Sequence, residues 1–389
     1  TNNDLTRISD LTFMLNSLRL TGFFDGASPQ SATLSGSELL LTDDLDSAPA
    51  NLALEAMGPA YSFFLKQDLI LYHDLEITGN GSAAFVLEGQ ISEYHKPTKL
   101  TKSGTSSLLI KSSPKHTGPT SINEGEIILA ENVTLSSEVI ISEKAILSGS
   151  GTLTNSLSGA GTISPGQGIG TLTIQNASPK RLHLEIDGNQ ADHLVSTGTL
   201  DLSNTTLSWS TQNLTEVVYP IITYNSLIDG FRNPNFPPPG YVFDYNYQVN
   251  KIALVRSENS YQVWSQQTHA LSGANALFEA DPDLDGIPNG LEFFTGSNPA
   301  EFTKTHPLKA SRRSGSTSVS YPISSLGQAT LFRLQSSTDL INWDDSFPGD
   351  QLPTVKEEKH FYSPGLGKVS QNITLPSDKI RFFRFIHRP

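Results

Sequence analysis

The sequence predicts an all-β chain, a solenoid of short stacked strands followed by a small β-sandwich. Three observations point there. Only 37% of the 389 residues are hydrophobic and 17% charged, while Gly (30) and Pro (23) are plentiful, a balance that suits turns and sheets better than helical bundles. From about residue 68 to 256, short β-type runs such as "DLILYHDLEITGNG", "SAAFVLEG" and "TSSLLIKS" alternate apolar with polar positions and are separated by Gly, Asn or Ser. Within "AILSGSGTLTNSLSGAGTISPG" the near-repeat GSGTLT / GAGTIS recurs, as expected of rungs that each leave an edge bare until the next one stacks on it.

Taken in order, residues 1–67 are expected to cap the solenoid, because an open end exposes unpaired backbone and core. In that segment "LTRISDLTFMLNSLRLTGFF" predicts a capping helix followed by a strand, and "GPAYSFFLKQ" is apolar and compact. Residues 68–256 form the solenoid. Near its end "NFPPPGYVFDYNYQ" gathers Phe236, Tyr241, Phe243, Tyr245 and Tyr247 around a stiff Pro run, expected to close the solenoid end or dock a neighbour. If exposed, the same rings would offer sugars a stacking platform. Residues 257–302 read as a connector, and 303–389 as a β-sandwich with Trp343, Phe382, Phe383 and Phe385 largely in its core.

The connector holds the most legible motif, "ADPDLDGIPNGLEFFTG" at 280–296. It fits D-x-D-x-D-G-x-x-N-x-x-E without a gap. In a twelve-residue calcium loop, Asp281, Asp283 and Asp285 would supply carboxylate oxygens, Ile287 a backbone carbonyl, Asn289 a direct or water-mediated ligand, and Glu292 a bidentate carboxylate. Gly286 permits the sharp turn that folds the carboxylates inward. Without a cation, three Asp so close would repel one another. Sensors use paired loops between long helices; here the loop is single, stiffened by Pro288, and followed only by "NGLEFF" before Gly296, Asn298 and Pro299 stop the helix. A structural calcium is expected.

Other motifs read blandly. In "SPGQGIGTLTI" the glycines Gly166, Gly168 and Gly170 precede a β-run and not a helix, so a tight turn is expected, not a phosphate cradle. His183 and Glu185 share a strand face, with Asp187, Asp192 and His193 nearby, a cluster capable of acid–base work on a sugar but read here as a solvated rung face. The nine His show no zincin spacing, and no nucleophile elbow appears.

Two stretches resemble a known family. "LTKSGTSSLLIKSSPKHTGPTSINEGEIIL" (100–129) resembles the autotransporter-associated β-strand repeat, with its Lys-x-Gly turn, apolar strand and Thr-Gly turn. "SGAGTISPGQGIGTLTI" with "LEIDGNQADHLVSTGTLDLSNTTL" (158–207) is similar to the last rungs of bacterial autotransporter passengers. The resemblance implies a right-handed parallel β-helix, secreted or displayed by a bacterium. Residues 257–389 lack the serial amphipathic strands and aromatic girdles of a membrane barrel, so self-translocation is not expected. "DPDLDGIPNGLEFFTGSNP", "ATLFRLQSSTDLINWDDS" and the terminal "IRFFRF" together resemble the carboxy-terminal region of large secreted proteins of Verrucomicrobia and Planctomycetes.

Charge and composition narrow the function. The net charge of −13 argues against a nucleic-acid partner, and the absence of Cys excludes disulfides and thiolate chemistry. No run of 18 apolar residues suggests a transmembrane helix, and the start at Thr1 is expected of a processed, secreted or cell-surface form. Residues 1–100 carry a net −8 and residues 303–389 a net +5, a polarity that would steer head-to-tail association. The expected function is therefore structural and non-enzymatic: a homo-polymer, extracellular filament or surface layer, formed by end-to-end or strand-addition contacts. A carbohydrate-binding or adhesion module that takes surface glycans is the alternative, and a polysaccharide-degrading β-helix enzyme the third reading.

Overall fold

The computed structural model describes residues 5–9, 12–23, 30–43, 49–57, 61–81, 83–231, 237–313, 316–324, 326, 332–337, 339–345, 366–373 and 382–387. The chain divides into two compact units, Thr1–Thr215 with Ile221–Phe236, and Glu216–Pro220 with Pro237–Pro389.

The first unit is a parallel β-helix. Strands Tyr61–Leu65, Ala84–Leu87, Ser107–Ile110, Gly125–Leu129, Ala145–Gly149, Thr162–Pro165, Arg181–Asp187 and Thr206–Gln212 follow one another in a single parallel sheet. Register aligns one inward row, Phe63, Phe85, Leu108, Ile127, Leu147, Ile163 and Leu182, each no more than 4% exposed. Identical stacking of apolar side chains from coil to coil is what alternation in the sequence encodes. A second sheet does the same with Leu52, Ile77, Ile122 and Ile141.

Lys102 sits in that second inward row, between Ile77 and Ile122. It is fully buried, and its Nζ donates to the carbonyls of Ser103 (2.8 Å), Gly104 (2.7 Å) and, more weakly, Glu124 (3.4 Å). A buried ammonium is tolerated where it donates to carbonyls in this way.

Residues 1–67 differ from expectation. In place of a helix-containing cap, Leu5–Ser9, Gln30–Gly36 and Tyr61–Leu65 pair in parallel as further rungs of the main sheet. Phe13–Leu15, Leu39–Leu41, Leu69–Leu71 and Ile91–Glu93 make a separate parallel sheet beside them. Spacing of Leu and Ile that suits a helix also suits strand–corner–strand, and long-range ladder pairing decides between the two.

The second unit opens with an antiparallel hairpin, Tyr241–Asp244 against Lys251–Arg256, and Lys251–Arg256 is also the hydrogen-bonded neighbour of Val218–Asp229 in one seven-stranded sheet. Tyr241, Phe243, Tyr245 and Tyr247 are 6–8% exposed. Phe236 lies outside the described residues. These rings are core and offer no sugar platform. Beyond residue 308, Lys309–Arg313, Ser316–Ser324 and Leu366–Ile373 form one antiparallel sheet; Phe332–Ser337, Asp344–Asp345 and Phe382–His387 form another. Val319 and Leu334 are buried with Leu308, Phe383 and Phe385 packed against them, the inner seam of a small sandwich. Phe382 is the exception to the expected core: the strand pleat turns it outward, 39% exposed. Trp343 is only half-buried, with the Arg384 guanidinium 4.1 Å over its ring. Among the described residues no helix is long and apolar enough to cross a membrane.

Candidate metal centre

Asp281, Asp283 and Asp285 place one carboxylate oxygen each within 4.8 Å of one another. Backbone donors fold them inward: the Asp285 N–H reaches Asp281 Oδ1 (3.2 Å) and Asp283 Oδ1 (3.3 Å), and the Gly286 N–H reaches Asp281 Oδ2 (2.9 Å). The Ile287 N–H donates to Asp285 Oδ1 at 2.7 Å. Two residues take the left-handed conformation that this turn needs, Leu284 (φ 62°) and Gly286 (φ 86°). Asp285 also ties the loop forward, accepting the Thr303 N–H at 3.0 Å on Oδ2.

The helix Asn289–Thr295 delivers the last ligand candidates. Pro288 stands at its N-cap, and Gly296 stops it at φ 77°, with the N–H groups of Gly296 and Ser297 both on the Glu292 carbonyl. All seven helical residues are buried. Asn289 is anchored by its Nδ2, which donates to the carbonyls of Asn275 (2.7 Å) and Leu277 (2.8 Å), while its Oδ1 has no hydrogen-bond partner.

Glu292 is the telling residue. It is fully buried, and neither carboxylate oxygen makes a hydrogen bond. Burial, then repulsion from Asp283, Asp285 and Asp281, pushes its pKa up to about 8. Burial and the neighbouring Asp carboxylates raise Asp283 as well, and Asp283 Oδ2 is likewise buried without a partner. No Lys or Arg pairs with these four carboxylates among the described residues. Ionising Glu292 here is unfavourable without a positive charge beside it, which is why its pKa is raised. All available donors are oxygens, the set a hard cation binds.

The side chains around this centre form the core of the unit. Ile287, Leu291 and Phe294 pack with Tyr321, Ile323 and Phe385, while Phe293 packs with Trp264 and Leu326. Gly290 is required by close approach, since a Cβ there would lie 2.1 Å from the Phe278 ring.

The other residues singled out by sequence are occupied structurally. Gly166 and Gly168 take φ 83° and 84° in a turn, and the N–H of Gly149 and the carbonyl of Gly166 exchange with their opposites at 2.8 Å. His183 lies between Ser208 Oγ (2.9 Å) and Ser210 Oγ (3.0 Å) on the next strand, with Glu185 at 3.9 Å. His193 contacts Thr223 Oγ1 at 2.8 Å and Asp187 is exposed. Asp192 is fully buried and accepts the N–H of Gly170 (2.9 Å) and of Glu185 (2.8 Å), tying the glycine turn to the strand; burial raises its pKa to about 7. Sequence reasoning did not single out Lys102 as a core residue, although a Lys at an inward position of an alternating strand was the available signal. No known protein-family model matches the chain, and no curated protein matches it either.

Proposed function

We propose that this chain is a non-enzymatic structural protein of the bacterial surface or exterior, which assembles with copies of itself and whose second unit is locked by calcium. The ion would be held by Asp281, Asp283, Asp285, the Ile287 carbonyl, Asn289 and Glu292. One observation carries the calcium reading: Glu292, buried on a short helix at the centre of the core, has two unpartnered oxygens beside three clustered Asp. Calcium binds such oxygen sets at about 2.3–2.6 Å, and its charge offsets the repulsion. The residues nearest to a catalytic cluster, His183 and Asp192, are spoken for by neighbouring hydroxyls and backbone N–H groups, which supports a structural reading. The resemblance of 100–129 and 158–207 to passenger rungs supports export, and the opposite charge of the two ends of the chain supports head-to-tail association.

Negative-stain electron microscopy of the purified chain, with calcium and then with excess chelator, tests this. Ordered filaments or sheets in calcium are expected, and their loss in chelator would tie assembly to the locked unit. Single particles under both conditions, at high protein concentration and low salt, would overturn self-assembly.

A further inference from the structure

Away from the acidic loop, the second unit encloses a cavity of about 130 Å³ walled by Asp244, Asn246, Trp264, Thr268, His269 and Asn298, among others. It lies where the turn after strand Tyr241–Asp244 meets the π-helical segment Val263–Thr268 and the stretch that leaves the Glu292 helix. The π-helix closes with the His269 N–H on the Trp264 carbonyl at 3.0 Å, a wide turn of the kind often found at functional sites.

Asp244 is 2% exposed. Its Oδ1 accepts the Asn246 N–H at 2.9 Å, and its Oδ2 has no partner; Thr268 Oγ1 is also buried and unpartnered. No Lys or Arg lines the cavity. Burial raises Asp244 to about 6, and no Lys or Arg stands beside it as a counter-charge. An anion is repelled by that carboxylate, and an apolar guest would strand the hydroxyl, amide and carboxylate groups. The wall is part apolar, through Trp264 and Leu326, and its polar part holds one carboxylate and no Lys or Arg.

We propose that this cavity is a second cation site, taking a hard, oxygen-seeking cation with Asp244 as its charged ligand and the Thr268 hydroxyl as a neutral one. Waters complete the coordination, since the cavity has room for several of them. The site shares no ligand with the 281–292 loop. Its link to that loop is Ser297, which lines the cavity and donates its N–H to the Glu292 carbonyl at 3.1 Å.

Equilibrium dialysis of the full chain in millimolar calcium, with bound metal counted by atomic absorption, is the first test. Two ions per chain are expected in the wild type and one in Asp244→Asn, with the second site at least tenfold weaker in Thr268→Val. The Thr268→Val change is nearly isosteric and carries the test if Asp244→Asn does not fold. A second arm, with calcium saturating the loop, replaces choline chloride by sodium or potassium chloride at constant ionic strength. A rise in unfolding temperature in the wild type that Asp244→Asn lacks would assign the cavity to a monovalent ion. One calcium per chain with no sodium- or potassium-specific rise means that the cavity holds water only, and overturns the proposal. So does a count of two that neither variant changes. A wild-type count of one that Asp244→Asn abolishes and Glu292→Gln leaves intact would keep this site and sink the loop as a calcium site.

Discussion

Glu292 contributes with opposite sign according to what faces it. With a cation present, two buried carboxylate oxygens become ligands; without one the group, raised to about 8, must take up a proton on folding, which costs stability as pH rises above the ordinary 4.5. Glu292→Gln keeps the shape and removes the charge. In calcium the variant is expected to unfold at lower temperature than the wild type and to bind calcium at least tenfold more weakly. In chelator the order reverses, and the variant is the more stable of the two. Thermal unfolding of both proteins in both conditions checks this, and a variant that is less stable in each would contradict the assignment. Asp192 makes a different case. Its folded pKa, about 7, stands above the ordinary 3.8, so the folded state holds a proton that the unfolded state has lost between those values. The stability this contributes is full below pH 3.8 and is lost as pH rises through about 7. Asp192→Asn removes the titration and turns a donor toward one of the two backbone N–H groups, at a penalty of about 1–3 kcal/mol. Urea unfolding is expected to show the gap between the proteins shrinking from pH 4 to pH 8.

At the level of elements, corners constrain the solenoid more tightly than strands. At Gly159, φ is 111° and a Cβ would lie 2.1 Å from the Ile141 carbonyl oxygen of the coil below. At Gly168, φ is 84° and nothing lies within 4 Å of a Cβ. Gly159→Ala combines backbone strain with a clash that neither chain can relieve, and is expected to destabilise by about 3 kcal/mol or more. Gly168→Ala meets strain alone, about 1 kcal/mol. Denaturant midpoints rank the two, and equal effects would mean that the corner relaxes. The same contrast explains what was legible in the sequence. Alternation around "SAAFVLEG" and "TSSLLIKS" exposed the inward rows directly, because a strand's period of two is local. Rungs at 5–9, 30–36 and 61–65 were not legible, since their pairing spans more than twenty residues and no local period reports it. The loop at 281–292 was legible because all its ligand candidates fall in twelve consecutive residues. Asp244 and Thr268 were not, because only the fold brings them to one cavity.

At the level of the whole molecule, every cation ligand candidate of the loop lies in the second unit, as does every residue of the second cavity. The solenoid holds its own core in stacked apolar rows and contributes none of these ligand candidates. The two units should therefore respond separately to calcium. A ligand that binds only the folded state stabilises by RT ln(1 + [L]/Kd), about 2.7 kcal/mol at a hundredfold excess over Kd. In the second unit that gain falls on a core assembled around a helix of seven residues, too short to persist by itself. Calorimetry is expected to show two unfolding transitions, of which calcium raises one and leaves the other in place. Proteolysis in chelator should then cut within residues 237–345 while the rungs between 61 and 212 survive. A single transition that moves as a whole with calcium would mean that the ion's stabilisation passes into the solenoid, and that the units fold as one.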